Sequence, residues 1–169
     1  MLPPPVVINS VHDLKNFDCG NPALNEFLVK YALTNTSAGV ARTYVATSPA
    51  STSVIGYYSI ATGSIERDNS TTRVAKGIPR HPVPVALIAR LAVDRQYQGK
   101  GIGEGMLKHA IQQILGASSI IGIRAILVHA KNQQAADFYK KYDFHPSPTN
   151  DLHLMMLIKD AKASLGLPS

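Results

Sequence analysis

The segment that most limits what this chain can fold into is a glycine-rich turn between two apolar runs of different period. Val83 to Val93 is apolar at both odd and even positions, the mark of a strand covered on both faces. The cluster Gly99-Lys100-Gly101-Ile102-Gly103 follows, and beyond it Met106, Leu107, Ala110, Ile111, Ile114 and Leu115 recur at helical spacing. Arg124 to Ala130 then returns to strand character. A strand–helix–strand unit of this kind demands parallel pairing and a right-handed crossover. The fold class is therefore α/β, built on a mixed central sheet with flanking helices.

The rest of the chain fits around that unit. Val6-Val7-Ile8 reads as a first strand. Asn21 as N-cap and Pro22 at the first helical position open a helix whose Leu24, Phe27, Leu28 and Tyr31 share one face and cover a sheet. Thr43 to Thr47 and Val54 to Ile65 are β-branched and tyrosine-rich strands, and the polar Glu66 to Arg80 is a loop or a poorly packed helix. Gln133 to Tyr142 is a short helix, Leu152 to Ile158 a closing strand, and the last residues a tail. The expected order is β-α-β-β-β-α-β-α-β, one domain over residues 1–169 with its core at about 6–159.

Charge narrows the ligand class. The net charge is +6, and between Arg73 and Lys100 stand six cations (Arg73, Lys76, Arg80, Arg90, Arg95, Lys100) against Asp94 alone. Such a middle suits a polyanion, a nucleotide or a nucleic acid, or else is a solvated basic face. With one cysteine, Cys19, no intramolecular disulfide forms, and no neighbouring base activates that thiol, so it reads as a small buried apolar residue. Neither a membrane span nor a basic-then-apolar leader is seen, and the expectation is a reduced, cytoplasmic protein.

The turn itself discriminates among phosphate-binding motifs. Free N–H groups at a helix start, with the positive end of the helix dipole, accommodate a phosphate, and glycine lets the backbone approach it. A Walker loop is excluded because no Gly-Lys-Ser or Gly-Lys-Thr occurs. A dinucleotide fingerprint fails because Met106 or Glu104 stands where its third glycine belongs. Gln98, Gly101 and Gly103 instead satisfy Q-x-x-G-x-G directly after a strand. That pattern resembles the pyrophosphate motif of GNAT acetyltransferases.

Other runs carry the resemblance further. Ala89-Arg90-Leu91-Ala92-Val93-Asp94, Val128-His129-Ala130, and Ala136 to Phe144 resemble the GNAT core in order. Phe17-Asp18-Cys19-Gly20, Ala41-Arg42-Thr43-Tyr44-Val45 and Tyr57 to Ser64 resemble, more narrowly, the acetyltransferase toxins of type II toxin–antitoxin pairs. The likeness covers about Phe17 to Ile158. It implies a cleft for acetyl-CoA where two parallel strands splay, with pantetheine along the main chain of Leu91, Ala92 and Val93. It places the pyrophosphate on Gln98, Gly99, Lys100, Gly101, Ile102, Gly103 and Glu104, and Asn132 and Phe138 beside the thioester. A backbone N–H near Ala92 or Val93 would hold the developing oxyanion. No metal is implied. Tyr139 matches the tyrosine that protonates the departing thiolate, and a phenol is protonated at neutral pH. From its residues alone, Tyr139 reads equally as aromatic packing. The family usually carries glycine where Asp143 stands, to provide a left-handed helix end, and Asp adopts that conformation at modest cost.

The acceptor is expected to be an α-amine. Glu66 and His129 are the candidate general bases, each also readable as structural. An α-amine near pKa 7.7 is already substantially neutral at physiological pH without a base, whereas a lysine amine near 10.4 is not. The resemblance implies acetylation of aminoacyl-tRNA, which blocks translation, with Arg80 and Arg90 first, then Lys30, Arg42, Arg73 and Lys76, holding tRNA phosphates. It further implies a homodimer and a cognate ribbon-helix-helix antitoxin that masks the site and alone contacts DNA. A GNAT enzyme acting on a protein N-terminus, a lysine or a small amine is the alternative, and a non-catalytic acyl-CoA-binding module is another.

Overall fold

The computed structural model of the protein describes residues 2–167. Met1, Pro168 and Ser169, which the expected domain includes, lie outside the described residues. The elements are β1 (Val6–Val7), α1 (Pro22–Lys30), α2 (Ala32–Ala38), β2 (Arg42–Thr47), β3 (Val54–Ile65), α3 (Thr72–Ala75), β4 (Val83–Val93), α4 (Ile102–Ser118), β5 (Ala125–His129), α5 (Gln133–Lys140), β6 (His145–Ser147), β7 (Asn150–Leu157) and α6 (Ile158–Ser164). One seven-stranded sheet runs β1-β2-β3-β4-β5-β7-β6. The strands β4 and β5 are parallel, joined across α4 as the glycine turn requires. Their register runs from Val85↔Ala125 to Ile88↔Val128, although β4 itself continues to Val93.

The chain divides into two compact units, one of residues up to Ala61 with Ala89–Ala110, the other of Thr62–Ile88 with residues from Ile111 on. In the first, α1 lays Phe27 and Leu28 against Val45, Tyr57 and Ala92. Asn21 caps that helix by accepting from the Leu24 N–H at 3.2 Å, and Cys19 is buried in the same core. Gly56 answers a close approach: a Cβ there would stand 2.9 Å from Met106 Cε and 3.3 Å from the Ala92 carbonyl. In the second unit Val74, Val83, Val85, Leu127, Met155 and Leu157 form a separate apolar cluster.

Several expectations change. Tyr31 is the residue between α1 and α2, half exposed, and not part of the buried face, because α1 ends at Lys30. The helix α2 was not expected: its Thr, Asn and Ser residues have weak helix propensity, and only Ala32 is buried. Glu66 to Arg80 holds a 3-10 turn and the four-residue α3, anchored by the fully buried Val74. The strand β6 contains Pro146, which a proline-averse reading passes over, and it stands at the sheet edge where proline is tolerated. What was expected as a tail after Ile158 is instead the helix α6, held by buried Ile158 and Ala161, too short for its periodicity to register.

Candidate active site

The first unit presents the glycine-rich turn. Where β4 ends, the Asp94 N–H donates to the Ile55 carbonyl at 2.8 Å. The buried Asp94 carboxylate accepts from the Gln96 N–H at 2.9 Å and the Asp18 N–H at 3.0 Å. Gln98 donates its amide to the Val93 carbonyl at 2.8 Å and the Cys19 carbonyl at 3.2 Å, so its side chain clamps the loop. Gly99 and Gly101 have φ of 76° and 81°, the left-handed region that favours glycine. The Gly105 N–H reaches the Gly101 carbonyl at 3.1 Å as α4 begins, which leaves the N–H groups of Ile102, Gly103 and Glu104 for a ligand. Beyond the chain neighbours, no heavy atom among the described residues lies within 4 Å of where a Cβ on Gly99 or Gly101 would stand, so it is the backbone conformation and not crowding that calls for glycine there.

Two residues that the sequence left unlinked set the turn's position. The Arg95 guanidinium grips the Asp18 carboxylate, which also accepts from Asn25 Nδ2 at 3.0 Å and the Gly20 N–H at 2.9 Å. These bonds, that to Arg95 foremost, hold the Asp18 carboxyl down at about 2. A lowered folded pKa adds stability above the unfolded value of about 3.9, lost as pH falls through the folded one. Asp18→Asn is therefore expected to lower Tm near neutrality by an amount that closes between about pH 4 and pH 2. Thermal melts of both proteins across that range check it, and a gap independent of pH contradicts it.

Tyr139 lies in the second unit, on α5. The helix is capped by Asn132, whose Oδ1 accepts from the Ala135 N–H at 2.9 Å. Ala136 and Tyr139 form its buried side. The Tyr139 ring meets Phe138 and Phe144 edge-on, with centroids 5.3 and 5.8 Å away. Burial pushes the phenol up to about 12. Among the described residues its hydroxyl has no hydrogen-bond partner, and it is not sealed from solvent. The group is thus a protonated, weakly committed donor. Asp143 takes φ 68°, the left-handed helix end expected of it, and the chain then brings the Phe144 N–H to the Tyr139 carbonyl at 3.3 Å. Asp143→Gly is expected to keep stability within about 1 kcal/mol of the parent, whereas Asp143→Ala loses about 1–2 kcal/mol. Urea unfolding tests this, and equal stability of the two variants speaks against a strained helix end.

The cations separate into engaged and free. Arg73 pairs with Asp160, and Lys30 with Glu26 at 3.0 Å. Arg90 lies 3.7 Å over the Phe27 ring rather than on Asp94. Arg42, Lys76 and Arg80 are exposed and form no ion pair among the described residues. Of the six cations counted from Arg73 to Lys100, Arg73 and Arg95 have carboxylate partners, so the basic face is smaller than its composition suggests.

The two candidate bases share one cavity. Glu66 and His129 line a space of about 460 Å³ in the second unit, together with His153, which the sequence did not single out. His129 and His153 face each other across β5 and β7 with rings 4.0 Å apart and 19° from parallel. Only the strand register reveals that pair. Among the described residues no cluster of His, Cys, Asp or Glu is arranged to hold a metal ion. No helix among them is long and apolar enough to cross a membrane.

Comparison with known proteins places this geometry. Residues 39–146 match the model of the acetyltransferase (GNAT) domain. The tRNA-acetylating toxin of Mycobacterium tuberculosis (strain ATCC 25618 / H37Rv) is 43% identical over 159 residues, 94% of each chain. The structure of AtaT complexed with acetyl-methionyl-tRNAfMet has a TM-score of 0.88 at 30% identity, covering 95% of this chain and 98% of that one. A tyrosine-to-phenylalanine mutant of AtaT bound to the C-terminus of the antitoxin AtaR and acetyl-CoA has a TM-score of 0.78 at 30% identity, covering 94% and 95%. With the glycine turn opening α4, the buried tyrosine on α5 and a domain match over most of its length, the chain belongs to the GNAT acetyltransferase family.

Proposed function

We propose that this protein is a toxin-type N-acetyltransferase that moves acetyl from acetyl-CoA to the α-amino group of aminoacyl-tRNA and so inhibits translation. The observation that carries the reading is the 43% identity, over 94% of both chains, to a tRNA-acetylating toxin. The two structural elements fit it. The N–H groups of Ile102, Gly103 and Glu104 suit the pyrophosphate, as the main chain of Leu91, Ala92 and Val93 suits pantetheine. Tyr139 supplies the proton that the thiolate takes up as the C–S bond breaks, and its raised pKa keeps that proton in place throughout the physiological range. That AtaT has been solved as a tyrosine-to-phenylalanine mutant with acetyl-CoA supports a tyrosine in the chemistry.

The reading extends to a cognate antitoxin, since AtaT is solved with AtaR, and to DNA contact through such a complex, as in the structure of AtaT–AtaR bound to DNA. A ribbon-helix-helix antitoxin, a homodimer and a cytoplasmic location complete it. Arg80 and Arg90 are the leading contacts for tRNA phosphate, Arg90 being fixed in place by Phe27. Arg42 and Lys76 follow as exposed cations, with Lys30 and Arg73 weakened by their carboxylate partners. Arg90→Ala is expected to raise KM for charged tRNA about tenfold and to flatten its log–log salt dependence by about one. Acetyl-CoA affinity stays within about twofold. Titrating each ligand separately tests this, and equal loss of both contradicts it.

A further inference from the structure

We propose that the cavity shared by Glu66, His129 and His153 receives the aminoacyl end of charged tRNA, and that His129 is the base that takes the proton from its α-amino group. This rests on the acceptor being aminoacyl-tRNA. The cavity lies over one face of the sheet, lined by alternate residues of the parallel pair, Val85 and Leu87 of β4 and Leu127 and His129 of β5. The paired segment ends at Ile88↔Val128, so His129 stands just past it, on the carboxyl side where ligands of open α/β sheets bind. The cavity's composition is that of a small-molecule pocket, with apolar Val85, Leu127 and Met155 against polar Asn69 and Asn150. The walls are tied together before any substrate arrives. Ser147 Oγ donates to the Asn69 carbonyl at 2.7 Å, and Thr149 Oγ1 donates to Asn69 Oδ1 at 2.9 Å.

The histidine pair gives the cavity its chemistry. Two stacked imidazoles 4.0 Å apart disfavour being charged together. Burial first, and His153 second, lower the pKa of His129, so a neutral nitrogen is available at physiological pH. The ionisable groups lining the cavity besides His129 are His153 and Glu66, and the Glu66 carboxylate suits an incoming ammonium. His129 closes β5, and Tyr139 stands on α5, which follows in the chain, so base and acid are carried by consecutive elements. His129 takes a proton from the bound ammonium, the freed lone pair bonds to the acetyl carbon, and the second proton released from that nitrogen passes to solvent. The C–S bond breaks, the thiolate takes the Tyr139 proton, and both side chains re-equilibrate with solvent.

The test is kcat for acetyl transfer to charged tRNA as a function of pH, for wild type, His129→Gln and His153→Phe, with acetyl-CoA binding measured by calorimetry as a check on folding. His129→Gln is expected to lower kcat about a hundredfold at pH 7. Its KM for charged tRNA and its acetyl-CoA affinity stay within about threefold, and the deficit shrinks toward about pH 9, where an α-amine is already neutral. His153→Phe is expected to move the acid limb to higher pH, because a repelling neighbour is gone. A deficit below about threefold, a deficit constant across pH, or an unmoved limb overturns the assignment of His129. Wild type without turnover on charged tRNA overturns the acceptor reading and this inference with it.

Discussion

Tyr139→Phe is expected to lower kcat by about a hundred- to a thousandfold while leaving acetyl-CoA affinity within about threefold. General acid catalysis contributes factors of that size, equivalent to about 3–4 kcal/mol of barrier. Only the hydroxyl is removed. The ring keeps its edge contacts with Phe138 and Phe144, and the hydroxyl makes no hydrogen bond that the fold depends on among the described residues. Loss of activity is therefore expected without loss of stability, with Tm moving by no more than about 2 °C. A pKa pushed up to about 12 also predicts that the acid remains protonated well past pH 10, so no basic limb from this group appears below that. Steady-state kinetics with calorimetric acetyl-CoA binding decide it. A loss smaller than about threefold assigns the residue to packing.

The second large effect is expected at Gly101, where Gly101→Val should weaken acetyl-CoA binding by about ten- to a hundredfold. At φ 81° the backbone lies where a β-branched residue is strongly disfavoured, although nothing within 4 Å would collide with the added Cβ. The cost is thus conformational, about 1–3 kcal/mol, and the turn relieves it by leaving the shape that aims the N–H groups of Ile102, Gly103 and Glu104. Gly105→Ala is the control, since that glycine sits inside α4 with open space around it and no positive φ. Its affinity should stay within about twofold. Binding measured for both variants checks the point, and equal weakening would remove the special role of the left-handed turn.

How much of this was legible in the chain depends on whether the physics is local. The strands Val54–Ile65 and Val83–Val93 have the bounds their β-branched density predicts, and the helix after the glycine turn begins where the turn ends. Asn21 as a cap is a one-turn effect and could be read directly, whereas the left-handed helix end at Asp143 was read through the glycine that the resembling family carries there. Elements with weak local signals were not legible. The helix α2 buries only Ala32, α6 rests on Ile158 and Ala161, and β6 includes a proline. Pairings across the fold were hidden for a different reason. Arg95 reads as one more cation until Asp18 is brought to it, and His129 reads as a lone strand histidine until β7 places His153 opposite. Tyr139 was legible by resemblance, but its burial and raised pKa come from packing with Phe138 and Phe144.

The most direct test of the central claim is transfer of labelled acetyl from acetyl-CoA to a pool of charged tRNAs, with uncharged tRNA and a lysine peptide as controls. Label on charged tRNA alone, and lost with Tyr139→Phe, is the predicted result. Label on the peptide instead, or none on any acceptor, contradicts the account.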